Sequence, residues 1–319
     1  MNTIEYTGPG GACRLTDRGV LRASGADSAT FLHSQLSNDV SKLDPQHARL
    51  GAYCTAQGRM LASFVYARQG AEDVWLSCPA DVMPAALKRL SMFVMRAKTR
   101  LSDASAEIAS LGLVGSASAE AVNPAAKDLA IWGKLDLDGG ALLIRLPDAA
   151  GAGRYLWLGE PALADALLAQ LSGVDESVWR WLEVCSGVAP VVAATSGQFV
   201  PQMLNYELVG GVDFKKGCYP GQEVVARSQY LGKLKRRAFL LQGDQAMQPG
   251  QEVIWSQDPG QPAGVVALSA QQPDGSHLAL AELKIAVTTT GELHLGAADG
   301  PTLTTMPLPY ALPHEQAPV

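Results

Sequence analysis

The sequence predicts an α+β body followed by a small antiparallel β-barrel. Two observations carry that expectation. Up to about residue 237, segments with apolar residues at helical spacing alternate with short β-rich runs. From 238 to 319 no helical stripe remains, and short strand-like runs are separated by Pro/Gly-rich turns, the spacing of a barrel. The expected division is therefore a body over 1–237, in two subdomains, and a barrel over 238–319.

Taken in order, residues 11–24 read as strand through Cys13, Leu15, Val20 and Leu21. Gly25-Ala26-Asp27 opens a helix to about Leu36, with Phe31, Leu32 and Leu36 at helical spacing. A hairpin is expected around Ala56-Gln57-Gly58, because Gly suits the turn and both flanks are β-rich. After a strand at 74–78, Asp81 is the candidate N-cap of a helix to about Ala97, with Leu87, Leu90, Phe93 and Val94 as its apolar stripe. Strands are expected at 99–101, 107–114, 129–132, 141–146 and 154–158, while 116–127 is Ala-rich and ambiguous. Pro161 and Gly173 frame one helix, and Asp175 and Gly187 frame the next. Pro190, Ser196-Gly197 and Pro201 then mark a long irregular segment.

Composition bounds the function. A chain of 319 residues suits two or three domains, and 47% hydrophobic residues against 18% charged ones suit a soluble core-forming protein. The net charge of −6 argues against a general nucleic-acid binder. No run approaches the roughly 18 apolar residues of a membrane span, and the start lacks signal-peptide features. The five cysteines (Cys13, Cys54, Cys78, Cys185, Cys218) are odd in number, widely spaced and without a Cys-x-x-Cys pair. That argues against a disulfide framework, a structural zinc site or a resident iron–sulfur cluster, and suits the cytoplasm.

The segment from Lys215 to Arg227 stands out. It sets Cys218 between two lysines and a turn built from Gly217, Pro220 and Gly221. Cations beside a thiol favour the thiolate, its reactive form. Between 215 and 237 lie seven cations (Lys215, Lys216, Arg227, Lys233, Lys235, Arg236, Arg237) against one acid, Glu223, so a site for an anion is expected on an acidic chain. The competing reading of Cys218 is a small buried hydrophobe, and that of the cations is a solvated face or an internal pair with Glu223. The five histidines (His33, His47, His277, His294, His314) are scattered, and none falls near Cys218 in sequence.

Lys216-Gly217-Cys218-Tyr219, then Gly221-Gln222-Glu223 and Val225-Ala226-Arg227, resembles the signature of the YgfZ family of folate-binding proteins. Ser196-Gly197-Gln198-Phe199-Val200-Pro201-Gln202, Gly210-Gly211-Val212-Asp213-Phe214, Gly25-Ala26-Asp27-Ser28, Asn38-Asp39-Val40-Ser41 and Leu308-Pro309-Tyr310 extend the resemblance over nearly the whole chain. It implies an aminomethyltransferase-like body of ferredoxin-like subdomains. These and the barrel would form a ring, as in the glycine-cleavage T protein, with tetrahydrofolate or a derivative in the central hole.

The resemblance also implies roles. Trp179 falls where a family tryptophan contacts folate, and a second one falls at Arg18, where this sequence departs. A guanidinium can still stack on a heteroaromatic ring. Asn38 and Asp39 border the pocket in related aminomethyltransferases; the competing reading is a helix stop with an Asx-turn. Gln198 and Gln202 could bond a pterin, or be loop residues in solvent. Lys216 and Arg227 could meet the glutamate carboxylates of folate. The expected role is support of iron–sulfur enzymes or cluster-assembly proteins, with Cys218 acting by transient thiol or cluster chemistry. The family's link to tRNA modification is indirect and requires no RNA binding. The alternative is a folate-dependent one-carbon transferase. In the T protein an aspartate lies on the strand after the hairpin turn, whereas residues 58–64 here hold no carboxylate.

Overall fold

The stretch 11–24 alternates like one strand but serves two sheets: β1 (Gly11–Arg14) joins one and β2 (Arg18–Ser24) the other. This computed structural model describes residues 4–230 and 234–313; Lys233 and His314 lie outside them. After β2 come α1 (Ser28–His33), β3 (Ala48–Cys54), β4 (Met60–Gln69), β5 (Asp73–Pro79), α2 (Met83–Ser91) and β6 (Arg100–Asp103). Then follow β7 (Ala109–Val114), α3 (Ser116–Val122), β8 (Lys134–Asp136), β9 (Leu142–Ala149), β10 (Ala152–Gly159), α4 (Pro161–Gln170), α5 (Glu176–Cys185) and α6 (Gln222–Tyr230). The barrel strands are β11 (Arg236–Gly243), β12 (Glu252–Trp255), β13 (Asp258–Gln271), β14 (His277–Lys284), β15 (Leu293–Leu295) and β16 (Thr302–Met306).

One sheet has the order β3-β4-β5-β2-β6 and the other β1-β7-β10-β9-β8. The six last strands close into a barrel in the order β11-β14-β13-β12-β15-β16, with β16 returning to pair antiparallel with β11. Closure removes the free edges that short strands would otherwise expose. Period-2 alternation gives the second sheet two apolar faces. Leu111, Leu113, Tyr155 and Trp157 face the layer of α3 and α4. Val114, Leu156, Leu158 and Ile144 face inward with Trp75 and Val20 of the first sheet, Trp179 and Trp181 of α5, and Leu240 and Leu280 of the barrel. One core therefore joins both sheets and the barrel, and α5 runs through it against β1, β9, β13 and β14.

Local signals placed several elements well. Asp175 caps α5 by accepting from Ser177 N at 2.8 Å, and the hairpin turns at Gly58. Others need correction. The helix expected over 81–97 ends at Ser91, leaving Phe93 and Met95 exposed, and Asp81 accepts from Ala193 N at 2.9 Å instead of capping it. The segment 129–132 is a turn with Trp132 at φ 66°, so the strand begins only at Lys134. The residues after Gly221 form α6.

Candidate functional site

The cysteine loop is fixed on three sides. Lys216 is 7% exposed. Its ammonium donates to the carbonyls of His33 and Leu36, the latter at 2.6 Å, and lies 4.9 Å from the Tyr219 ring centre. It thus caps the carbonyl end of α1, where a cation is favoured. Burial holds its ammonium below the ordinary lysine value, at about 8, against the opposing pull of Asp39 and Asp213. On the second side Gly221 (φ 81°) lies against the hairpin turn so closely that a Cβ there would sit 2.4 Å from Thr55 O. On the third, Gln202 is fully buried and donates to Val225 O at 2.7 Å, tying α6 to the turn at 201–204. Out of this frame Cys218 points to the surface. Cys13, Cys54, Cys78 and Cys185 are buried, and burial pushes each of these thiols up to about 12.

The basic island largely dissolves into ion pairs. Arg227 pairs with Glu223 at 3.0 Å, one helical turn back, as the bland reading had it. Arg237 is buried on Glu207 at 2.7 Å, and Arg236 grips Glu282 with two nitrogens. Lys215 and Lys235 remain exposed. Glu207 and Glu282 come from distant parts of the chain, so a local charge count could not find them.

Asn38 and Asp39 also serve the frame. The Asn38 amide donates to Leu50 O at 2.9 Å and Gly210 O at 2.7 Å, holding the segment that leads into the loop. Burial would raise the Asp39 carboxyl. The N–H of Lys42, the Ser41 hydroxyl and His33 more than offset this and hold it at about 2. Gln198 is exposed and donates to Ala194 O at 2.8 Å.

A second cluster lies in the core between the sheets. Trp179 is 2% exposed. The Arg154 guanidinium lies 4.4 Å from its ring centre, and Gly112 approaches so closely that a Cβ there would be 2.5 Å from the ring. Trp179 is thus packed in the core with the Arg154 guanidinium on its ring. Arg18 is ion-paired with Glu183, so its guanidinium is engaged as well. Burial disfavours the Arg18 charge, but Glu183 and Asp17 more than offset it and raise its pKa.

Arg154, which sequence reasoning missed, is the unusual member. It is 2% exposed, its Nη2 stands 4.0 Å from Glu183, and burial pushes it down to about 10. Its Nε and Nη2 have no hydrogen-bond partner, nor do Trp179 Nε1, Ser110 Oγ, Trp75 Nε1 or Ser77 Oγ. Strand alternation puts Ser110 on the same face as Gly112, and Ser77 on the same face as Trp75, so these groups share the inner layer. Each unsatisfied buried group costs about 1–3 kcal/mol, which makes this layer a candidate for a polar occupant. The donors and the excess cation suit an acceptor-rich, anionic molecule such as folate by hydrogen bonding. Arg154 was discoverable: it stands two and four residues before Leu156 and Leu158 on an inward-facing strand register.

Among the described residues no group of three or more His, Cys, Asp or Glu side chains is placed to hold a metal ion, and no helix is long and apolar enough to cross a membrane. No protein-family profile matches the chain. The two sheets and the closed barrel define an aminomethyltransferase-like fold. The glycine cleavage system aminomethyltransferase T of Bartonella henselae superposes with a TM-score of 0.75 at 16% identity, over 96% of this chain and 87% of that one. The particular family follows from sequence. The tRNA-modifying protein YgfZ of Colwellia psychrerythraea is 30% identical over 309 residues, 93% of this chain and 92% of that protein. The chain belongs to the YgfZ family.

Proposed function

We propose that this protein binds tetrahydrofolate or a derivative in its central layer and supports iron–sulfur enzymes, tRNA-modifying ones among them, through the thiol of Cys218. The unpaired buried donors of Arg154 and Trp179 carry the folate half of this reading. Arg154 and Trp179 would hold the folate by hydrogen bonds, with Ser110 as a further partner. Bound tetrahydrofolate would supply a one-carbon carrier or an effector. Membership of the YgfZ family supports the same reading, and the printed role of the Colwellia relative is tRNA modification. With a net charge of −6 and Arg227, Arg236 and Arg237 paired to carboxylates, this chain suits an indirect part in that process, acting on cluster-bearing or cluster-assembly proteins and not on RNA. A reduced cytoplasm suits an exposed working thiol.

The likeness to an aminomethyltransferase favours a second reading, a folate-dependent one-carbon transferase. Against it, residues 58–64 at the start of β4 carry no carboxylate to handle charge at a reacting nitrogen. The first reading is tested in cells lacking their own family member, by assaying iron–sulfur enzyme activity with wild type or Cys218→Ser. Wild type restores activity and the variant does not. Full restoration by Cys218→Ser removes the thiol role.

A further inference from the structure

No histidine falls near Cys218 in sequence, but folding brings one there. Lys216 pulls the loop onto the end of α1, whose last residue is His33. An added Cβ on Gly217 would lie 3.3 Å from His33 Nε2. Cys218 is the next residue, and consecutive Cα atoms are about 3.8 Å apart. Cys218 is exposed, and its thiol lies one residue along the loop from the contact with the imidazole. The opposite nitrogen, Nδ1, lies 3.0 Å from the Oδ1 of Asp39, whose side chain is only 5% exposed. An ionised carboxylate only accepts hydrogen bonds. Nδ1 therefore carries the hydrogen and Nε2 is the acceptor; the 3.5 Å contact from Ser41 N to Nδ1 is the weaker one.

We propose that His33 is the proton acceptor for Cys218 and that Asp39 fixes its tautomer, giving a thiol–imidazole–carboxylate relay across the end of α1. In the step, the S–H bond of Cys218 breaks and its electron pair stays on Sγ. The proton forms an N–H bond at Nε2, and Asp39 stabilises the resulting imidazolium. His33 is a positioning residue that acts through Cys218. The charged and titratable groups around the pair are few. Lys216 and Asp213 come from the loop segment, with Lys215 exposed beside them. Asp39 comes from the segment after α1, and Tyr219 is buried beneath Lys216. The Lys216 ammonium is taken up by two carbonyls, which leaves the imidazole as the group able to take a proton.

This inference rests on the reading of Cys218 as a working thiol, but its test needs neither folate nor a client enzyme. Full-length wild type, His33→Gln and Asp39→Asn are alkylated with iodoacetamide from pH 6 to 9.5, and labelling is located by mass spectrometry. An ordinary thiol is roughly 1% thiolate at pH 6.5, so an effective acceptor has ample room to act. Cys218 in His33→Gln should react about tenfold or more slowly than wild type at pH 6.5, and the rates should converge by pH 9.5. Asp39→Asn should fall between them. Cys13, Cys54, Cys78 and Cys185 are buried and stay unlabelled while a variant is folded, so each sample reports its own integrity. Equal rates at pH 6.5 overturn the relay. So does a slowing by the same factor at every pH, which would be a change of access and not of proton transfer. Either result, with Cys218→Ser still failing in cells, leaves the thiol reading standing without the relay.

Discussion

The buried ammonium of Lys216 donates to the carbonyl of Leu36 at 2.6 Å, and this bond fastens the cysteine loop to the first sheet's helix. Removing the donor leaves two carbonyls without it, at a cost of about 1–3 kcal/mol. Lys216→Met should lower the urea midpoint accordingly and open the 214–221 loop to protease. An unchanged midpoint with unchanged cleavage would mean that the bond holds nothing.

The same lysine gives a pH signature. Its folded value, about 8, lies below the ordinary lysine value of 10.5, because burial disfavours the charge. Between those values the unfolded chain binds more protons than the folded one, so the contribution of this group to stability rises with pH. The stability difference between wild type and Lys216→Met should therefore grow in favour of wild type from pH 8 to pH 10. A flat or shrinking difference in paired denaturation curves contradicts the burial argument.

Asp39 has the opposite sense. Its folded value of about 2 lies below the ordinary aspartate value of 3.8. Its contribution is present above 3.8 and is lost as pH falls toward 2. Asp39→Asn should be destabilised by about 2 kcal/mol at pH 7. The variant should also lose less stability than wild type between pH 4 and pH 2. Parallel acid-unfolding curves for the two proteins would count against it.

Gly221 combines φ 81° with a backbone contact that no side chain fits, Thr55 O at 2.4 Å from an added Cβ. Gly221→Ala must move the loop off the hairpin turn, at a cost of roughly 2–4 kcal/mol. Circular dichroism melting would detect this readily, and a loss below about 0.5 kcal/mol would show that the contact relaxes freely.

What the sequence made legible was local. The cap at Asp175, the hairpin at Gly58 and the turn-rich barrel each depend on residues within a few positions of one another. What it hid was tertiary. Alternation through 11–24 cannot say that β1 and β2 join different sheets. The pairing of Arg237 with Glu207 and of Arg236 with Glu282 takes two cations out of an apparent basic site. Trp179 packs against Arg154 and Gly112, both remote in the chain, which its local sequence could not show. His33 and the cysteine loop likewise come together only through the fold. Cys218 itself was legible as an exposed thiol, because its Gly/Pro-rich turn cannot be buried in a helix or sheet.

The central claim is that the buried donors of Arg154 and Trp179 serve folate. It is tested most directly by calorimetric titration of tetrahydrofolate into wild type, Arg154→Met and Trp179→Phe. Trp179→Phe keeps an aromatic ring but removes the unpaired Nε1 donor together with the fused five-membered ring. Saturable binding by wild type, weakened at least tenfold by Arg154→Met and several-fold by Trp179→Phe, is the predicted result (about 1.4 kcal/mol per tenfold). No binding by folded wild type, or equal affinity in all three proteins, would contradict the assignment of the central layer as the folate site.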